Sequence, residues 1–443
     1  MLHAPTHDLE QDATALDDPN AVNRLGQPVT VQAATTWSVE IVETLSALRS
    51  RAEEWRRLES AAALHRRNQH SAFQSLAWAF PWLTHIGTDL GVTPVVAFIY
   101  RDRALAAILP LMEQKRFGIV HLLPLGEPHT QICDALTDGQ TDCQTGIALA
   151  LAQVTLRQGV DVVALGPILE GSPLQAAALA LADSKKRREH GPVLVQDPAE
   201  YITLSDSGVD PAKPGITLGK SRRKALRKGM ERLSAHGAVS LKRVGRGHPD
   251  FAPLVAKALQ LKREWLASNG LYSTGLAHHG IDAFLTDLGG GTFPSDMRGT
   301  EPELDVLMAG SHVVALSINL VGPARLTDGG TYPVRQCYLS TYDPAFADCS
   351  PGNLLIHMSL TTPDTRQTAC LSLLGHPTQQ KAAWETRRIG LVRFEQALTR
   401  RGAFWLDGWI NGLRPRLKRL ALAARRPVAQ LLQLAKPGAP RKR

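Results

Sequence analysis

Cysteine is scarce in this chain: five in 443 residues, Cys133, Cys143, Cys337, Cys349 and Cys370, with no C-x-x-C pair among them. An odd number of scattered thiols fits a reducing, cytoplasmic compartment and excludes a disulfide framework. Structural zinc needs thiolates or imidazoles at short spacing, and His278 and His279 stand as an isolated pair, so no metal site is expected. Long apolar runs are missing too. The longest, such as Ala104 to Met112, falls well short of the ~18 to 20 residues of a spanning helix. The first residues carry acids and no apolar core, so no secretory signal is expected. There is no G-x-S-x-G, no H-E-x-x-H and no G-x-G-x-x-G after a strand, which removes serine hydrolase, zinc protease and dinucleotide dehydrogenase readings.

What remains is globular. A 44% hydrophobic content with 21% charged residues suits packed cores, and the length allows two domains. The formal charge of +9 is concentrated at one end: residues 411–443 hold ten Lys or Arg and no acid, leaving the rest near neutral. Leu413, Leu417, Leu420 and Leu431 to Leu434 interleave with those cations. The tail reads either as an amphipathic segment on an anionic inner-membrane surface or as a solvated extension.

Periodicity divides the chain. Residues 1–35 form an acid-, Pro- and Asn-containing leader, and order starts at Trp37 with Val39 and Ile41 in strand alternation. Helical patterns follow at Leu45 to Leu58 and Phe73 to Leu83, then a hairpin turned at Arg101-Asp102-Arg103, strands at 122–125 and 160–165, and a helix at 147–156. The second half repeats the order: helices over 251–268 and 281–288, a hairpin at 304–320, a strand at 337–341, a helix after Ser350 and a strand at 369–374. Leu316, Ile318 and Leu320 alternate with Ser317 and Asn319, which predicts one buried face. Trp55 precedes the turn at Asp102 much as Trp265 precedes that at Ser311, pointing to a duplicated α/β unit. Units are expected at 36–205 and 236–410, joined by a linker and basic helix at 206–235.

Gly215 to Ser221 reads GITLGKS, one residue short of the phosphate-binding G-x-x-x-x-G-K-[ST], with no apolar strand before it. It serves better as a linker into the helix of Lys220, Arg222, Arg223, Lys224, Arg227, Lys228 and Arg232, opposed only by Glu231. Its partner is an anion: coenzyme A phosphates, an anionic lipid or sugar-lipid, or RNA. The absence of nearby aromatics makes nucleic acid the least favoured.

The densest signal is Cys337 to Leu355, CYLSTYDPAFADCSPGNLL. A strand ends in Tyr342-Asp343, and a loop delivers Ser350-Pro351-Gly352-Asn353 into an apolar helix. Serine before a first-turn proline caps a helix, and glycine lets an anion approach the free N–H groups. Plain capping would use the same residues. This order, followed by Lys381 and Trp384, resembles the C-terminal signature of the CelD/BcsL-like branch of the GNAT acyltransferases. The match departs from that signature at Leu371-Ser372, at Gln380 and, in the first half, at Thr130-Gln131.

The resemblance implies an α/β fold of two tandem GNAT-like units, with mixed, mainly antiparallel sheets flanked by helices. It implies an acyltransferase using acetyl-CoA or another acyl-CoA on a sugar or sugar-lipid precursor of cellulose or an exopolysaccharide. Aminoacyl transfer from charged tRNA, or a non-catalytic scaffold, are the alternatives. The site residues it implies are Ser350, Gly352, Asn353 and Leu354 for the cofactor and Asp343 and Tyr342 for proton transfer. Lys381, Arg222 and Arg223 would contact phosphate or substrate. Asp343 before Pro344 is equally a turn former, Tyr342 equally a packing residue, and Lys381 equally a surface lysine.

Overall fold

A computed structural model describes residues 35–62, 71–185, 193–209, 215–290, 300–325, 331–362, 368–375, 377–413 and 416. All that follows concerns the compact unit Trp37–Arg443. The leader and the basic tail lie outside the described residues, apart from Thr35, residues 411–413 and Arg416.

The first half runs β1 (Trp37–Val42), α1 (Leu45–Ser50), α2 (Ala52–Ala62), α3 (Leu76–Trp82), β2 (Thr93–Arg101), β3 (Ala104–Arg116), β4 (Ile119–Pro124), β5 (Leu136–Thr137), α4 (Cys143–Val154), β6 (Val162–Leu169), α5 (Pro173–Lys185) and β7 (Val193–Asp206). The second runs α6 (Lys220–Ser234), β8 (Val239–Gly245), α7 (Phe251–Ser268), α8 (Thr274–Ala277), α9 (Ile281–Gly290), β9 (Glu301–Ala309), β10 (His312–Arg325), β11 (Thr331–Tyr342), α10 (Pro351–Thr361), β12 (Cys370–Ser372), α11 (Gln379–Ala382), β13 (Arg387–Ala397) and α12 (Arg400–Ala403). The expected helix at 45–58 is two, because Arg51 leaves helical geometry between α1 and α2. The β2–β3 hairpin turns on Asp102 and Arg103, both left-handed at φ 48 and 69, the geometry of a type I′ turn.

All strands join one mixed sheet, in the order β1-β2-β3-β4-β6-β13-β7-β12-β11-β10-β9-β8, with β5 beside β3. Among the described strands, β4–β6 and β11–β12 pair in parallel and the other pairs are antiparallel. The order is a palindrome of two equivalent units in which the final strands have traded places: β7 pairs with β12, β13 pairs with β6, and the two pair with each other. The fold is thus mixed α/β with two equivalent halves fused through a shared centre.

On one face a single core crosses both halves, from Trp55, Trp78 and Trp82 to Phe284, Leu316 and Leu391. Trp78 meets Phe284 edge-on with ring centres 4.9 Å apart. The other face carries two cores, one under α4 and α5 and one under α6 and α10. Because helices cover both faces, the predicted one-sided burial of β10 is corrected: Ser317 and Asn319 are as buried as their apolar neighbours.

Candidate functional site

β11 pairs with β12 only over Val334 to Gln336, yet β11 continues to Tyr342. From Cys337 onward no strand among the described residues pairs with it on that side, and the sheet opens into a cleft of about 1180 Å³. The cleft is lined from both faces of the sheet: α7 and α8 contribute Lys262, Trp265 and Gly275, and α10 and α11 contribute Gly352, Gln380 and Lys381. Pro128, His129 and Gln131 of the first half close one end. In the first half, the matching gap is occupied by the chain itself. β4 and β6 pair only at His121 and Leu122, and beyond them Cys133 bridges to Ile168, with buried Ile132 and Ala135 beside it. The open site therefore belongs to the second half.

Of the sequence-chosen residues, the cleft gathers Tyr342, Ser350, Gly352, Asn353 and Lys381. Four others lie elsewhere. Asp343 caps the 3-10 turn Pro344–Cys349, accepting from the Ala345 amide at 2.9 Å, so it is a turn residue and not a base facing the cleft. Leu354 is fully buried in the core under α10. Arg222 donates to the Ala383 carbonyl and lies 5.7 Å from the centre of the Trp384 ring, which fixes α6 against the α11 segment. Arg223 is exposed on α6.

The helix start also differs in detail from the sequence reading. Ser350 sits at φ 55, ψ 50, and its hydroxyl makes no capping bond; its carbonyl instead accepts from the Asn353 and Leu354 amides at 3.0 and 3.2 Å. Pro351 has no N–H, which leaves the Gly352 amide as the first donor of α10. The Asn353 amide oxygen accepts from Trp384 Nε1 at 3.0 Å, so this residue seats the tryptophan. A side chain at 352 would begin 3.1 Å from the Gln380 amide nitrogen, so glycine keeps the lip of the cleft open.

Sequence reasoning passed over Lys262 and Cys337. Lys262 reaches in from α7, its Nζ donating to the Ser340 carbonyl at 3.3 Å and standing 4.7 Å from the centre of the Trp265 ring. Lys381 reaches in from α11 and donates to the Gly375 carbonyl. Both ammonium groups are held below the usual lysine range by loss of solvent. The Cys337 thiol, which interacts with both, is pushed up to about 11 by burial. Among the described residues no aspartate or glutamate lines the cleft. Across from Cys337 in the sheet, Asn319 is fully buried and neither atom of its amide has a partner. The only sequence sign of Lys262 was its place in a helix otherwise ordinary.

Burial and its hydrogen bonds favour the neutral form of His129. Its Nδ1 accepts from Trp82 Nε1 at 3.0 Å, which places the proton on Nε2, 3.1 Å from the Gly275 carbonyl, and burial lowers its pKa. The unfolded chain titrates near 6.5. The contribution of His129 is therefore whole above that pH and lost progressively as pH falls toward the lower folded value. Glu59, raised to about 8 by burial, acts in the opposite sense, losing stability as pH rises from the ordinary carboxylate range to 8. The histidine contribution is read by difference: His129→Gln, whose amide keeps both bonds without titrating, should lose less stability than the parent between pH 7 and 5 in urea unfolding. Equal losses would remove His129 as a source of acid sensitivity.

Asp89 joins His278 and His279, so that pair is not isolated; their ligand atoms lie within 4.8 Å of one another, outside the cleft lining. The five cysteines are all free thiols, and no helix among the described residues is long and apolar enough to cross a membrane.

Residues 220–381 match the family described as an acetyltransferase (GNAT) domain, so this stretch is a GNAT-type acyltransferase domain. No curated protein matches the chain. Among solved structures, FemX aligns at TM-score 0.51 and 8% identity over 80% of this chain and 98% of its own. A conserved protein of unknown function from Bacteroides thetaiotaomicron aligns at 0.48 and 9%, over 81% and 100%. A tandem GNAT protein from the clavulanic acid biosynthesis pathway aligns at 0.37 and 12%, over 82% and 99%. At such identities the FemX likeness speaks for fold alone, and it extends over both halves.

Proposed function

We propose that the second half transfers an acyl group from acyl-CoA, acetyl-CoA in the first instance, to an acceptor that enters from the α7–α8 side. The observation that carries this reading is the parting of β11 from β12 beside the first turn of α10. The open edge of Cys337 to Tyr342 offers backbone groups to an extended pantetheine arm, and the Gly352 amide at the positive end of α10 suits a pyrophosphate. Lys381, near that end, adds positive charge. When bound, the cosubstrate supplies a thioester, and the protein's own work is to orient it and move two protons.

With no carboxylate among the described lining residues, we assign those protons to the lysines. On the α7 face, Lys262 in its neutral form takes the proton of the acceptor amine or hydroxyl. On the α11 face, Lys381 as the cation gives its proton to the departing sulfur as the carbon–sulfur bond breaks. Lowered lysine pKa values serve both roles, since the neutral base is then reached closer to neutral pH and the cation becomes a stronger acid.

The acceptor is narrowed further by the CelD/BcsL-like motif order to a sugar or sugar-lipid precursor of an exopolysaccharide or cellulose, handled on the cytoplasmic side of the inner membrane. Calorimetric titration with acetyl-CoA tests the core of the reading. Micromolar binding by the parent and its loss in Gly352→Trp, whose indole would fill the helix start, are expected. A folded parent that binds neither acetyl-CoA nor longer acyl-CoAs would overturn it. Retained tRNA on the purified protein would then favour aminoacyl transfer, with the exposed cations of α6, Arg223, Lys224, Arg227 and Lys228, as its contact.

A further inference from the structure

Two surface turns from opposite halves bring three metal-ligating side chains to one spot. Asp89 comes from the first half, on the turn that follows the π-helical segment Leu83–Gly87, and His278 and His279 come from the second, between α8 and α9. One ligand atom of each lies within 4.8 Å of the other two. The Asp89 carboxylate stands 2.7 Å from His279 Nε2, and the two imidazoles stack with centres 4.6 Å apart. The backbone beneath them is fixed. On the Asp89 side the Leu90 amide donates to the Ile86 carbonyl and the Gly91 amide to the Thr88 carbonyl, each at 3.1 Å; on the other the Ile281 amide donates to the His278 carbonyl at 3.2 Å. Gly280 packs so closely on the His85 carbonyl that a Cβ there would lie 2.0 Å from it, and His85 pairs with Asp287 of α9 at 2.9 Å. The spacing of the three ligands is therefore set by two turns held against each other.

We propose that Asp89, His278 and His279 bind a Zn²⁺ ion, with water completing its shell, and that the ion fastens the first half to the α8–α9 turn. Two imidazole nitrogens with one carboxylate oxygen suit zinc, whereas calcium and magnesium take shells of oxygen. Tetrahedral zinc with bonds of about 2.0 to 2.2 Å sets its donors about 3.4 Å apart, so the side chains have to shift by roughly 1.5 Å at most. The side chains of His279 and Asp89, 79% and 45% exposed, have room for that movement. His278 Nδ1 accepts from the Gly280 amide at 3.0 Å. An ion has either to take that nitrogen and break the bond, or to take Nε2 and displace its proton, a cost that selects for a metal with high affinity for imidazole. The three ligands lie outside the cleft, yet α8 serves both places: Ser273 to Leu276 line the cleft, and His129 bonds to the Gly275 carbonyl at 3.1 Å. Zinc would thus tie this wall of the cleft to the body of the first half.

The test is calorimetric titration of zinc chloride into the tag-free, chelator-treated full chain, beside Asp89→Ala and His279→Ala. One-to-one binding with a micromolar Kd is expected, and a hundredfold excess over Kd should raise the thermal midpoint by a few degrees. Magnesium chloride should do neither. Each variant should bind zinc about tenfold or more weakly, since loss of a group that merely supports a ligand already costs that much. Their metal-free midpoints should stay near that of the parent, because an exposed ion pair contributes little to folding. Equal binding by parent and variants would overturn the proposal and place the ion on other imidazoles or thiols. A parent that binds no zinc below about 100 μM would also overturn it, leaving Asp89 and His279 as an ordinary surface pair.

Discussion

Lys381→Met and Lys262→Met should each lower kcat by roughly 10²- to 10⁴-fold, the range general acid–base catalysis contributes. Methionine keeps an apolar stem in place of the lysine chain, so the half-buried walls of the cleft should hold their packing and acetyl-CoA binding should survive in Lys262→Met. The two losses should differ in kind. A neutral base gives activity that rises with pH through its pKa, and a cationic acid gives activity that falls above its own. Both limbs should stand below the ordinary lysine value, since loss of solvent lowers both groups. Lys262→Met should erase the rising limb and Lys381→Met the falling one. An acyl donor with a more acidic thiol, which leaves without a proton, should rescue Lys381→Met and not Lys262→Met. Variants within fivefold of the parent, or a donor that rescues both alike, would sink the assignment.

The sequence showed the parts of this site more readily than their arrangement. Strand and helix periods placed α7 and the β9–β10 hairpin within a few residues, since those elements each bury an amphipathic face whose pattern is local. Ser350-Pro351-Gly352 marked the start of α10 for the same reason. Polar side chains carry no such pattern. The motif suggests proton transfer for Asp343 and cofactor contact for Asn353, yet the first caps a turn and the second also seats Trp384, local and long-range bonds that composition does not distinguish. Lys262 comes from α7, separated from β11 by α8, α9, β9 and β10, and joins the site only through the sheet. The cleft itself depends on where β11 and β12 stop pairing, a fact about two strands separated by a helix and a loop.

The exchange of final strands was equally hidden, because β13 follows the second half in the chain and lies against the first half in the sheet. It joins the stability of the two halves. Phe394 is fully buried under β6 with Val392 and Leu391 nearly so, and Phe394→Ala should cost about 3 to 5 kcal/mol, a large share of the roughly 5 to 15 kcal/mol that hold a typical domain. The loss should appear as one cooperative urea transition, reported alike by probes in the first half near Trp55 and in the second near Trp384, both fully buried. A chain ending before Arg387 strips β6 and β7 of one of their two partners each at the middle of the sheet. Such an open edge exposes a row of unpaired N–H and C=O groups to other copies of the chain. That truncated protein should be insoluble or unfolded throughout, including the first half whose own residues are all present. A soluble first half with native tryptophan fluorescence would show that β13 is an accessory strand, and the two halves would then fold independently of their exchange.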